Sequence, residues 1–397
     1  MTRELLVKNV RPLEAAATDI RVVDGRIREI GSGLSAASAD ATVIDGAGHI
    51  LLPGLVDAHT HIDKTLWGLP WQRHQAGPRL IDKIENERRL RRELKLSPQQ
   101  QSANQVRLAI SKGTTHIRSH VDIDTEIGLA HLEGVLATKE QFRDSMTLQL
   151  VAFPQSGMLI RPGTVELLEE AIRAGADLIG GIDPSSIDRD PVGHLDTIFG
   201  IAERHGVGVD IHLHEPGMLG AFAVELIAER TRALGLQGRV TISHAFCLGM
   251  VEEAYLQQLI ELLLENRIAI MTHGPGNYAF PPLKRLREAG VEICCGSDGI
   301  RDAWGPYGNA DMLERAMLLG FRSNLRRDED LEMVLDIVTY GGARVMGVEG
   351  YGLEPGCRAD FVLVAGETRV QAMMNRDPRP CVVNNGRVVA ADGRCLL

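Results

Sequence analysis

No stretch of this 397-residue chain is apolar over membrane length, and "MTRELLVKNV" lacks the apolar segment of a secretion signal. A cytoplasmic protein is therefore expected. Excess positive charge is missing too: 43 Lys and Arg against 53 Asp and Glu give a formal net charge of -10. Such a balance argues against nucleic-acid or anionic-membrane partners, which select basic surfaces. The six cysteines (Cys247, Cys294, Cys295, Cys357, Cys381 and Cys395) contain no CxxC spacing, so reduced thiols are expected. Low-complexity segments and short-period repeats are absent. The glycine fingerprint GxGxxG is missing from the first strand-helix turn, which weighs against an open dinucleotide-binding sheet.

What remains is an ordinary globular composition, 44% hydrophobic and 24% charged, long enough for one large barrel and a small satellite. Both chain ends are written in short hairpins. "VVDGRI" near the start and "VVNNGRVV" near the end each place a two-residue turn between apolar strands. These ends predict one small β-sandwich domain, residues 1–53 with 347–397, assembled from both termini. Between them, over 54–346, eight apolar β-type runs alternate with stretches of helical periodicity such as "TVELLEEAIRAG" and "AYLQQLIELLLEN". The runs are "GLVDAHTH", "THIRSHVDI", "LQLVAFPQ", "LIGGID", "GVDIHLHE", "VTISHAF", "IAIMTHG" and "EICCGSDG". Eight such units predict an α/β fold, a (β/α)8 TIM barrel.

Active sites of such barrels lie where the strands end, and here the ends are polar. In strand order they carry His59 and His61, His120 and Asp122, Gln155, Asp183, His212 with His214 and Glu215, His244, His273, and Asp298. Residues i and i+2 of a strand share a face, so His59 and His61 can point at one ion. His212 and Asp298 supply the further ligands of a catalytic site, which keeps a position open for water. Three imidazoles and one carboxylate suit several divalent cations, zinc among them.

The pieces "PGLVDAHTH", "HLHE", "SHAF", "GSDGIRDAW" and "YGLEPGCRADFVLV" resemble the amidohydrolase superfamily. Within it the chain is most similar to the cytosine deaminase and N-isopropylammelide isopropylaminohydrolase group, over nearly its whole length. The resemblance implies that His59, His61, His212 and Asp298 hold one divalent metal ion per chain, zinc or iron, with manganese also compatible. It also implies that His244 polarises the attacking water, that Glu215 shuttles protons, and that Gln155 hydrogen-bonds the substrate ring. The fourth strand ends in "GGIDP", without the lysine that bridges two metals in binuclear members, so a mononuclear site is expected.

Other residues keep two readings. Lys64 is a substrate contact or the ion-pair partner of Asp63. Asp183, before Pro184, is a ligand contact or turn chemistry. His214 shares a strand face with His212, as a substrate contact or a packing residue, and Trp304 walls the pocket or simply packs. His120 and Asp122 are read as braces, His273 has no assigned role, and the helical run "ENERRLRREL" reads as a solvated face. Glu215, three residues after His212, must lie beyond the strand end to face the site. The cytosine deaminase pattern has a second Asp after the metal-binding one; here Gly299 follows Asp298, which is expected to open space and remove a charge beside the ring.

Taken together, these features predict a metal-dependent hydrolytic deaminase of an amino-substituted N-heterocycle. Cytosine or a close analogue (5-substituted cytosine, isocytosine, pterin) is the first expectation. An N-alkylammelide or cyclic-amide hydrolase is the alternative, and a catalytically silent scaffold the alternative of another class. A small heterocycle is the expected partner, and homo-oligomerisation is left open.

Overall fold

The computed structural model describes residues 3–276 and 278–397. Five strands come first: β1 (Glu4–Pro12), β2 (Thr18–Val23), β3 (Arg26–Gly31), β4 (Thr42–Asp45) and β5 (Ile50–Pro53). Eight follow that form the barrel: β6 (Leu55–Thr60), β7 (Thr114–Asp122), β8 (Thr147–Phe153), β9 (Leu178–Ile182), β10 (Gly208–His212), β11 (Val240–Ser243), β12 (Ala269–Met271) and β13 (Ile293–Cys294). The chain then returns to the first sheet with β14 (Phe361–Val364), β15 (Cys381–Asn384), β16 (Arg387–Ala391) and β17 (Arg394–Cys395).

The terminal sheet runs β17-β16-β15-β14-β5-β1-β2-β3, with β4 beside β1. Side chains from its two halves, among them Val7, Ile20 and Ile27 with Phe361, Leu363 and Val383, share one apolar cluster. Both predicted hairpins are present. Asp24-Gly25 joins β2 to β3 and Asn385-Gly386 joins β15 to β16, and all four residues have positive φ, as a type I′ turn requires.

The barrel strands pair in parallel from β6 through β13 in sequence order. At the seam, Ala58 N donates to Cys295 O (3.0 Å) and Asp298 N to His59 O (2.9 Å), joining the last strand to the first. Gly296 makes that closure possible, since a Cβ there would fall 2.1 Å from His59 O. Helices follow strands around the outside: α1 (Leu80–Leu94) and α2 (Pro98–Ser111) after β6, then α3 (Ala130–Gln141), α4 (Thr164–Ala174), α5 (Pro191–His205), α6 (Gly217–Ala233), α7 (Glu253–Glu265), α8 (Leu283–Ala289) and α9 (Met312–Arg322). Their apolar faces and the outward strand residues form one continuous core, in which each fully buried Leu or Ile contributes roughly 1.5–3 kcal/mol.

The inside of the barrel is less apolar than parallel strands usually are. All nine residues of β7 are buried, yet Arg118, His120 and Asp122 alternate along one face of it. Arg118 donates to Asp210 Oδ2 (2.9 Å), Thr241 Oγ1 (3.1 Å), Gln149 Oε1 (2.8 Å) and the Val345 carbonyl (3.0 Å), so its charge and its donors are satisfied inside the barrel.

Candidate active site

The polar strand ends converge as the spacing suggests. His61 Nε2 lies 3.4 Å from Asp298 Oδ1 and 3.4 Å from His212 Nε2, and His59 Nε2 lies 3.7 Å from Asp298 Oδ1. Tetrahedral ligands at about 2.1 Å from a zinc ion stand about 3.4 Å apart. His59 Nε2 is buried with no hydrogen-bond partner among the described residues, as an atom reserved for an ion would be. These four side chains therefore fit a divalent cation. Burial disfavours the charged form at His61, His212 and His244 and lowers their pKa values, favouring neutral imidazoles. For Asp298, burial acts upward, but His273, His59 and His61 hold its carboxyl well below the usual range.

The backbone is bent to make this convergence. Asp183, His244, Ala245 and Asp298 have φ of 36°, 73°, 45° and 60°. Non-glycine residues rarely occupy this left-handed region, and each costs on the order of 1 kcal/mol or more. All four stand just past the ends of β9, β11 and β13, where the strain turns a side chain over the barrel mouth.

Around the four donors stand two different walls. On the β6–β8 side Lys64, only 4% exposed, donates to Asp122 Oδ1 (2.9 Å) and Gln155 Oε1 (2.8 Å), and its Nζ lies 3.3 Å from Glu87 Oε2. Of the two readings for Lys64, the Asp63 pair is not the one found: Asp63 accepts from the Asp122 N–H (3.1 Å) and pairs with His131 (2.7 Å). Asp122 is held also by Arg91 Nη1 at 3.1 Å. His120 has both ring nitrogens buried without a hydrogen-bond partner among the described residues. Trp304, half-buried, donates its Nε1 to Glu87 Oε2 (2.5 Å) and so ties the loop after β13 to α1.

This corrects the reading of "ENERRLRREL". It is not simply a solvated face: α1 lies against the site with Glu87 buried and Arg91 bridging Asp122 and Asp124. Glu87 escaped detection because nothing in a charged helical run marks which carboxylate turns inward. Burial, partly offset by Lys64, raises its pKa to about 8.

On the opposite side, β10–β12, the wall is imidazole and aromatic. Asp183 accepts from the His214 backbone N–H (2.6 Å) and pairs with its Nδ1 (2.7 Å), so both Asp183 and His214 are held by each other. The His214 ring stacks on His244 with centroids 4.4 Å apart. His244 Nδ1 lies 3.2 Å from His273 Nδ1, which lies 3.5 Å from Asp298 Oδ2, so His273 belongs to the site. Burial opposes protonation of His214, yet Asp183 carries its pKa above the ordinary histidine value. Phe246 contacts the His214 and His244 rings, with centroids at 5.6 Å, and stacks on Tyr278 at 5.5 Å. Glu215 is buried, with Oε1 accepting from the backbone N–H groups of Ser185 (2.7 Å) and Ser186 (2.6 Å), while Oε2 has no hydrogen-bond partner among the described residues.

Gly299 also turns out differently from expectation. A Cβ at Gly299 would lie 1.9 Å from Asp302 Oδ2. The place is therefore not opened and stripped of charge; the Asp302 carboxylate fills it, anchored through Oδ1 by the N–H groups of Trp304 (2.8 Å) and Gly305 (3.1 Å). Sequence pattern alone misses the substitution because the carboxylate arrives from three residues further on, around a turn. A 370 Å³ cavity lined in part by Lys64, Glu87, Arg91, His131 and Ala303 adjoins this wall.

Residues 42–390 match the model of the amidohydrolase family. Among similar proteins, N-isopropylammelide isopropyl amidohydrolase of Pseudomonas sp. (strain ADP) is 32% identical, over 98% of both chains. The crystal structure of N-isopropylammelide isopropylaminohydrolase from Burkholderia multivorans ATCC 17616 is 47% identical, with a TM-score of 0.96 over 99% of this chain and 100% of that one. The 5-methylcytosine deaminase from Klebsiella pneumoniae, liganded with 5-fluorocytosine, is 28% identical, with a TM-score of 0.85 over 97% of each chain.

Proposed function

The chain belongs to the amidohydrolase family, an enzyme acting on C–N bonds, and from that premise we propose that it hydrolyses the exocyclic C–N bond of an amino-substituted N-heterocycle. An N-alkylamino s-triazine of the ammelide type is the first substrate class. The observation that carries the chemistry is the convergence of His59, His61, His212 and Asp298 beside His244 and the Asp183–His214 pair. A divalent cation bound by those four side chains would make hydroxide available near neutral pH and polarise the carbon under attack.

The protein's own groups then divide the remaining work. His244 and Asp298 face the attacking water and orient it. Lys64 donates to Gln155 Oε1, which turns the Gln155 amide N–H groups toward a ring acceptor, and Asp302 offers a carboxylate to a ring N–H. Water oxygen bonds to the ring carbon, the C–N bond breaks, and the two water protons end on the departing amine and the ring amide. The reaction consumes one water and no redox equivalent. His214, its Nδ1–H held by Asp183, has Nε2 left to carry a proton to the leaving nitrogen. Glu215, with Oε2 free and Oε1 fixed by two N–H donors, is the second proton carrier.

The alkylamino reading is supported by the Burkholderia similarity and by the opposed walls. In the strand order, β7 and β8 stand four places from β11 and β12. A heterocycle set against Lys64 and Gln155 therefore directs its opposite substituent toward Phe246 and Tyr278, where an apolar alkyl group is better received than water. Deamination of a cytosine-type ring is the second reading, supported by the similarity to the Klebsiella enzyme. The test is a product screen with zinc-loaded enzyme: alkylamine from N-alkylammelides against ammonia from cytosine, 5-methylcytosine, isocytosine and pterins, ranked by kcat/KM. Alkylamine release with the highest kcat/KM is expected. Highest kcat/KM for a pyrimidine would establish the second reading, and no turnover of any would overturn both.

A further inference from the structure

From His59, one of the four donors, a chain of buried polar groups leads across strands β11, β10 and β7. His59 Nδ1 lies 3.0 Å from Ser243 Oγ, and Ser243 Oγ donates to Asp210 Oδ1 at 2.6 Å. Arg118 Nη1 donates to Asp210 Oδ2 at 2.9 Å. His59, Ser243 and Asp210 have no exposed surface, and Arg118 is 2% exposed. His120 Nε2, the other titratable neighbour of Asp210, stands 3.7 Å from Oδ1, beyond hydrogen-bond reach.

For a neutral imidazole at His59, the form that can ligate a cation, proton counting along this chain has one solution. A carboxylate paired with arginine only accepts, so the single Ser243 hydroxyl proton goes to Asp210. Ser243 Oγ then has lone pairs alone to offer His59, and the ring must donate. Nδ1 therefore carries the proton and Nε2 the free pair, and Nε2 is the atom found buried without a partner near Asp298. We infer that Arg118, Asp210 and Ser243 form a positioning relay that fixes the tautomer and the rotation of His59, presetting it as a cation ligand. Ser243 and Asp210 act through His59 and are positioning residues. The four elements come from different strands (β6, β7, β10 and β11), so the relay also locks the ligand to the far side of the barrel.

This inference rests on the proposed cation site, and the experiment separates the two. Zinc affinity of the full chain is measured by competition with a chromophoric chelator for the parent, Ser243→Ala and Ser243→Thr, with thermal midpoints of the metal-stripped proteins recorded alongside. Ser243→Ala removes only the hydroxyl, and its stripped protein is expected to unfold cooperatively like the parent. Loss of such an outer hydrogen bond to a ligating histidine weakens metal binding about 10–100-fold. That loss is expected for Ser243→Ala, while Ser243→Thr, which keeps the hydroxyl, stays within about fivefold of the parent. Equal zinc affinity in parent and Ser243→Ala overturns the relay and leaves the site intact. Equal losses in both variants also overturn it, assigning the effect to packing. A parent that binds no zinc overturns the site itself.

Discussion

Replacing Glu87 by Gln tests the most unexpected feature of the site wall, a carboxylate from an apparently solvated helix buried between Lys64, Trp304 and Arg91. Glu87 is 3% exposed, and its pKa stands near 8 against 4.5 for a free glutamate. A raised carboxyl pKa means that the folded protein binds the proton more tightly than the unfolded chain. The associated stability is present below pH 4.5 and is lost as pH rises through about 8. At 1.36 kcal/mol per unit, the whole shift corresponds to about 5 kcal/mol. Because Glu87 titrates jointly with the neighbouring Asp122 carboxyl, only part of that, on the order of half, is expected to be measurable as Glu87's own. Glutamine cannot ionise and keeps an oxygen for the Trp304 N–H, so the variant lacks this pH dependence. Urea unfolding of parent and Glu87→Gln from pH 5 to pH 9 supplies the assay, and the quantity of interest is the difference between them. Relative to the parent, the variant should gain about 2–3 kcal/mol of stability across that window, most of it between pH 6 and pH 8. A difference that stays constant with pH, or that moves the other way, would refute the assignment of Glu87 as a buried, proton-binding carboxylate.

Asp298→Asn should abolish the zinc dependence of the thermal midpoint and lower kcat/KM at least about a thousandfold, whereas an unchanged midpoint shift on adding zinc would remove Asp298 from the cation site. His214→Gln should lower kcat by about 10²–10⁴ with zinc affinity within a few-fold of the parent. Glu215→Gln keeps the Oε1 acceptor for Ser185 and Ser186 and is expected to retain at least about a tenth of kcat, compared with the factor an essential proton carrier supplies; complete loss of turnover with zinc retained would make Glu215 the principal carrier instead. Gly299→Ala expels the Asp302 carboxylate, so both it and Asp302→Asn should lower kcat/KM about 10–150-fold, the worth of a charge-assisted hydrogen bond of about 1.5–3 kcal/mol. Full activity in Gly299→Ala would show that Asp302 does not meet the substrate.

Much of this protein could be read from residue order alone, because the relevant physics is local. Two positive-φ turns, Asp24-Gly25 and Asn385-Gly386, announce their hairpins through residues that tolerate the conformation. Eight apolar runs ending in His, Asp or Gln announce a parallel barrel, since strand ends are where parallel topology gathers side chains. The HxH pair at the end of β6, His59 on the strand and His61 just past it, is local for the same reason: a period of two places both imidazoles on one face. Tertiary structure alone decided what lies between these elements. Which glutamate of "ENERRLRREL" turns inward depends on where α1 packs. The Asp302 carboxylate replaces a missing one at Gly299 through a turn whose course no periodicity encodes. Ser243 becomes a partner of His59 across 184 positions only because β11 faces β6 through the barrel. Sequence determines what repeats along the chain; the closure of the barrel determines which distant groups share a proton or an ion, because those distances exist only after the strands have met.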